Sequence, residues 1–212
     1  MQNSDILQAM EACWTAIQTH HPEVPDVRLV LGTGMDRGVY RKRGHWWPSQ
    51  WSEDAKLVPE VMVAAEHLQQ GQDAVLATLL HEAAHGLAWV RGIKDVSRGG
   101  RWHNRRFAEI ARALGCIVEK DRQYGHRTTG LTTDTLILYG IVAYRLGVAM
   151  DRVHRIVPNR TKTKKKPGPK SLICGCRRRI RMRPNAMLAG PVVCGICLTI
   201  FQDPEEEYDV AM

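Results

Sequence analysis

His81-Glu82-Ala83-Ala84-His85 lies inside an apolar run that extends from Asp73 to Val90. The apolar residues of that run recur every three or four positions, the period of a helix and not of a strand. On a helix of 3.6 residues per turn, positions four apart share a face, so both imidazoles reach one cation. At about 100° per residue, Leu76, Leu79, Ala83, Leu87 and Val90 cluster on the opposite side, which predicts the face that grips a core. Glu82 falls between the two faces, where a carboxylate reaches a metal-bound water without displacing a histidine. H-E-x-x-H on a helix is the pattern of a zinc site whose glutamate serves as general base. The competing reading is a surface helix with two spare histidines, since five residues match by chance. Polar residues set against so clean an apolar stripe argue for chemistry.

Upstream of this helix, Asp5 to His20 carries Ile6, Leu7, Met10, Cys13, Trp14 and Ile17 at spacings of one, three and four. That spacing predicts an amphipathic helix closed by Pro22, with Cys13 packed as a small apolar residue. Val27 to Leu31 reads as a strand stopped by Gly32-Thr33-Gly34, and Gly38 to Arg41 could pair with it. His45 to Trp51 holds three tryptophans around Pro48; they are either core aromatics on a strand edge or a substrate-contacting rim, and packing is favoured. Leu57 to Ala64 is another strand, placed at a sheet edge by Pro59, and Gly71 and Asp73 then cap the histidine helix.

Downstream, Arg91 to Arg101 is a glycine-punctuated loop. Trp102 is read as opening a second helix, with Phe107, Ile110, Ala111 and Leu114 on one face and Gly115 as its stop. A catalytic zinc takes three protein ligands plus an open position for water. The metzincin continuation would place Gly and His at 88 and 91, where this chain has Ala88 and Arg91, so it is excluded. Three candidates for the third ligand remain: His103 first, then Asp95, then Glu109.

These residues resemble the SprT-like metalloprotease family, which includes the eukaryotic Spartan proteases. H-E-A-A-H is followed by R-G-I-K-D-V-S-R-G-G-R-W-H-N-R-R-F, and the family's later H-x-x-x-F corresponds to His103 through Phe107. The resemblance spans roughly residues 5 to 120, and the C-terminal cysteine pairs extend it, because many members carry a zinc ribbon. It implies an α+β, zincin-like fold, zinc held by His81, His85 and His103, and Glu82 as general base. The chain departs from Spartan in its long glycine- and arginine-rich loop before His103 and in Asn104 beside it.

Cys116 to Glu119 is a short strand, Tyr124 to Thr129 a polar turn, and Thr133 to Met150 a helix starting near Asp134 and interrupted by Gly140 and Gly147. His126 or Tyr124 is a possible oxyanion donor, though an exposed loop position is the more ordinary role for both. From Arg152 to Pro184 there is no Asp or Glu. Lys164, Lys165 and Lys166 lie in a proline- and glycine-bearing linker and are expected DNA contacts. Arg177, Arg178, Arg179, Arg181 and Arg183 fall inside the next module instead, which favours a phosphate-binding surface.

That module holds Cys174-x-Cys176 and Cys194-x-x-Cys197, the arrangement of a zinc ribbon with four thiolates closing a structural site. A module this short folds on its metal, because apolar burial alone is insufficient. Cys13 and Cys116 stand alone.

The whole chain has 212 residues, a net charge of +8 and a pI near 9.4, which favours a polyanionic partner. No 18-residue apolar segment or signal peptide is present, so the expected location is cytoplasmic, with the nucleoid as one place within it, and no membrane partner is expected. The reading is therefore a protease domain at 1–150, a basic linker at 151–171, a zinc ribbon at 172–202 and an acidic tail at 203–212. The expected cofactors are two zinc ions, one catalytic and one structural, and the expected partners are a protein substrate and non-specifically bound DNA. The expected activity is peptide hydrolysis of proteins on, or cross-linked to, DNA. Two competing readings are a non-catalytic DNA-binding protein with two structural zinc sites and a zinc hydrolase of a non-peptide substrate.

Overall fold

The computed structural model describes residues 4–36, 39–40, 42–151 and 168–204. It divides into two compact units, Met1–Pro158 and Asn159–Met212. Most of the basic linker, including Lys164, Lys165 and Lys166, and the acidic tail from residue 205 onward lie outside the described residues.

The first unit is a mixed α+β assembly. Helix α1, Ser4–His20, buries Ile6, Met10, Cys13, Trp14 and Ile17 on one side, as its three-four spacing requires. Strand β1, Arg28–Gly32, follows, then a small ladder of β2, Met35–Asp36, and β3, Val39–Tyr40. Strands β4, Gly44–Glu53, and β5, Lys56–Ala64, complete a three-stranded sheet in the order β1-β5-β4.

The strand pairing differs from expectation at two places. Residues 39–40 pair with Met35–Asp36 and not with β1, whose partner is β5 in parallel. β5 is central and not an edge, because Pro59 needs no ladder donor where it sits. The β1 ladder begins only at Arg28↔Glu60, and the β4 register shifts between Trp47 and Trp51 opposite the proline.

A 3₁₀ turn, Ala65–Gln70, leads into α2, Gln72–Val90, which carries the H-E-x-x-H residues. Leu76, Leu79, Ala83 and Leu87 are buried as expected, while Val90 is exposed at the helix end. The buried surface is wider than one stripe: Val75, Leu80, Ala84 and Ala88 are also enclosed, so α2 is the central helix of the core.

Beyond it lie β6, Val96–Ser97, and β7, Trp102–His103, then α3, Arg105–Ala113. β8, Cys116–Asp121, and β9, Gly125–Leu131, complete a second sheet in the order β6-β7-β9-β8. The segment expected as a polar turn, 124–129, is thus mostly strand. Its residues are polar on both faces, so no apolar alternation marks it, and its pairing with β8 and β7 supplies the order. The expected C-terminal helix is two, α4, Thr133–Leu138, and α5, Gly140–Met150, broken at buried Tyr139.

The second unit contains a hairpin of β10, Lys170–Ile173, and β11, Arg179–Met182, followed by the single-turn α6, Pro184–Met187. Isolated bridges Ile173↔Gln202 and Val193↔Ile200 fold the last segment back onto the hairpin and onto itself.

Candidate metal centres

In the first unit α2 presents His81 and His85 one turn apart, and β7 brings His103 across to them. One ring nitrogen from each lies within 4.8 Å of the others. His103 Nε2 and His85 Nε2 are 3.2 Å apart. A tetrahedral ion with metal–nitrogen bonds of about 2.05 Å has ligand edges of about 3.3 Å, so this separation fits a shared cation.

Contrary to the expected helix start at Trp102, His103 belongs to a strand. Asn104 is the helix cap: its side-chain oxygen accepts from the amides of Arg106 and Phe107, at 2.8 and 3.2 Å, so α3 cannot begin earlier. The His103 amide donates to the Tyr124 carbonyl at 2.9 Å. Gly125 permits that approach; with φ +81, a Cβ there would sit 2.2 Å from the His103 carbonyl oxygen. Phe107 forms the floor, its ring centroid 4.7, 4.8 and 4.4 Å from those of His81, His85 and His103. The spacing from His103 to Phe107 therefore has a packing cause.

The outward nitrogens of two of the three rings are held as well, while the buried His103 Nδ1 has no hydrogen-bond partner. His85 Nδ1 donates to Asp95 Oδ2 at 2.5 Å, and His81 Nδ1 pairs with Thr128 Oγ1 at 2.9 Å. Asp95, the second candidate ligand, thus binds the far side of His85 and is not one of the three converging groups. Glu109, the third, is exposed and pairs with Arg105 at 2.9 Å. Desolvation, with the neighbouring imidazoles adding to it, keeps His81 well below its usual pKa and brings His103 down to about 4. Both rings are therefore neutral near pH 7, with lone pairs free for a cation.

Glu82 is buried beside this cluster, and desolvation pushes its carboxyl up to about 7. Gly44 lets β4 come this close to α2. A Cβ at Gly44 would meet Thr78 Cγ2 at 2.7 Å and the Glu82 Oε1 atom at 3.0 Å.

The cluster opens into a cleft of about 1200 Å³, with Trp46, Trp47 and Trp89 on its wall and Tyr124 and Arg127 among its other lining residues. His126 is not among the lining residues. The three tryptophans of β4 divide between the two roles weighed for them. Trp46 packs on the core, 6.2 Å from the ring of Trp89, while Trp47 and Trp51 are about half exposed.

In the second unit Cys174, Cys176, Cys194 and Cys197 place their sulfurs within 4.8 Å of one another. Cys174 and Cys176 are 3.4 Å apart and Cys176 and Cys194 3.8 Å, far beyond a disulfide bond of about 2.05 Å. Metal–thiolate bonds of about 2.3 Å give tetrahedral edges of about 3.8 Å, so four thiolates here can hold one ion. Arg177, Arg178, Arg179, Arg181 and Arg183 are all exposed on the same unit.

Sequence reasoning missed Thr128, Gly44, Gly125 and the role of Asp95, none of which carries a local pattern. No family model, curated protein or solved structure matches the chain. Among the described residues, no helix is long and apolar enough to cross a membrane.

Proposed function

We propose that the chain is a zinc-dependent endopeptidase of the SprT-like kind, with a zincin-like first unit, acting on proteins associated with or cross-linked to DNA. The observation that carries this reading is the convergence of His81, His85 and His103 beside the buried Glu82 carboxyl at the base of an open cleft. Structural metal sites are closed by four protein ligands, whereas three histidines leave a position for water. When bound there, zinc supplies a Lewis acid and a water acidic enough to ionise near neutral pH.

Glu82 can serve as the base. A buried carboxylate beside the three histidines can accept a proton from the attacking water and return it to the leaving amine. β4 supports a peptide substrate in particular. Among the described strands it pairs only with β5, and it lines the cleft from Gly44 to Trp47, so its free edge can pair with an extended main chain.

The DNA partner is supported by the second unit. Arg179 and Arg181 are exposed and alternate with half-buried Ile180 and Met182, so the two guanidiniums share one face of the hairpin, with exposed Arg183 directly after the strand. Alternate strand residues stand about 6.8 Å apart, which suits a row of phosphates. The acid of this region, Asp203, is paired with Lys170 at 2.6 Å. With zinc in the thiolate site, the ribbon keeps its fold and has no open position for chemistry.

Incubation with an unfolded protein substrate tests the reading. Cleavage is expected from the wild type, its loss on chelation and in Glu82→Gln, and its return with stoichiometric zinc. Absence of cleavage at full metal occupancy, with DNA binding retained, would instead favour the non-catalytic reading.

A further inference from the structure

We infer that Asp95 is the positioning residue of the histidine centre, fixing which nitrogen of His85 faces the cation. This rests on the reading of the three histidines as a metal site. An imidazole has two nitrogens, and in the neutral ring only the one without hydrogen can bind a cation. A carboxylate accepts hydrogen bonds and does not donate them, so the 2.5 Å contact from Asp95 Oδ2 places the His85 hydrogen on Nδ1. The lone pair is then on Nε2, the atom 3.2 Å from His103 Nε2. Metal-bound histidines commonly have such outer partners, which set tautomer and ring orientation together.

Asp95 is itself held from the side of the third histidine. Its carbonyl accepts the amide hydrogen of Asn104 at 2.9 Å, and the Asn104 side-chain amide donates to the Lys94 carbonyl at 2.7 Å. Asn104 follows His103 directly and caps α3. One cross-tie therefore connects the orienting carboxylate of His85 to the strand that delivers His103. Ile93 and Val96 on either side of the Lys94-Asp95 pair line the cleft, and Asp95 is 9% exposed, so little solvent competes for its carboxylate. His81 has a weaker counterpart in Thr128, a hydroxyl that can donate or accept and so does not impose a tautomer.

The test compares the full-length wild type with Asp95→Ala and Asp95→Asn, each with its thiolate site loaded. On protein whose histidine site is metal-free, nitrogen-15 NMR of the imidazoles reports the His85 tautomer directly. The wild type is expected to carry its hydrogen on Nδ1, and Asp95→Ala to move it largely to Nε2. Asp95→Asn keeps an acceptor oxygen at the same place and is expected to retain the wild-type tautomer in part, which separates orientation from mere packing. Cobalt titration is expected to show about 10–100-fold weaker binding in Asp95→Ala, with a smaller loss in Asp95→Asn and a changed visible spectrum of the bound ion. A wild-type tautomer with the His85 hydrogen on Nε2, or cobalt affinity and spectrum unchanged in both variants, would overturn the assignment. Neither readout uses peptidase activity, so a chain that orients His85 through Asp95 yet cleaves no peptide would refute the proposed function alone.

Discussion

Replacing Glu82 by Gln removes a carboxyl group while keeping its volume, and the buried site makes the consequence for stability calculable. Desolvation is the largest influence on Glu82 and raises its carboxyl from 4.5 to about 7, with His85 and Lys42 opposing and Asp95 reinforcing it. A carboxyl raised on folding makes the folded chain the stronger proton binder between those two values. Its contribution is therefore complete below pH 4.5 and is lost as pH rises through about 7. At 1.36 kcal/mol per pH unit, the cost of holding the ionised carboxyl in the metal-free fold reaches about 3 kcal/mol above pH 7. Glutamine carries no charge and no such cost. Denaturant unfolding of the chelated protein should find Glu82→Gln more stable than wild type by up to about 3 kcal/mol at pH 8, and nearly equal to it at pH 4.5. The same substitution should lower the peptidase rate by about 10² to 10⁴-fold, because an amide takes no proton. A stability difference that is absent at pH 8, or identical at both pH values, would refute the buried carboxylate; retained proteolysis at full metal occupancy would refute its role as base.

Three further outcomes follow from the two-unit arrangement and from the packing of the histidine site. Changing Cys194 and Cys197 together to Ser should unfold the second unit and release one metal equivalent, with the histidine-bound equivalent retained by mass spectrometry under native conditions. Loss of both would show that the units are not independent. Truncation after Met150 should flatten the salt dependence of DNA binding, since each lost phosphate contact removes about 0.9 from the logarithmic slope on duplex and about 0.7 on single strands. It should also slow cleavage of a DNA-bound protein more than that of a free peptide, and equal slowing would mean that the residues after Met150 support the first unit itself. Phe107→Ala should cost about 3–5 kcal/mol in thermal or denaturant unfolding, and it should weaken metal binding by freeing all three imidazole rings.

Helices α1 and α2 and the cysteine pairs were legible because each rests on a local period or spacing. Ile6 through Ile17 repeat at helical intervals, His81 and His85 are one turn apart, and Cys174-x-Cys176 and Cys194-x-x-Cys197 are each closely spaced pairs. His103 was legible as a residue but not in its setting. The side chain of Asn104 competes for the first amides of α3 and moves the helix start past it. Strand β9 was illegible for a different reason: both its faces are polar, and its partners β7 and β8 are what order it. The central place of β5 was hidden by Pro59, whose missing donor happens to fall opposite the irregular stretch of β4. Asp95 was visible as a carboxylate near the site, but only the fold shows that it faces the outer nitrogen of His85.

If the histidine cluster and the four thiolates each hold an ion, counting metal will show it. Metal content should be measured on purified wild type and on His103→Ala. Two zinc equivalents are expected per wild-type chain and one in the variant, the survivor remaining on the four thiolates. One equivalent in both proteins, or two in both, would contradict it.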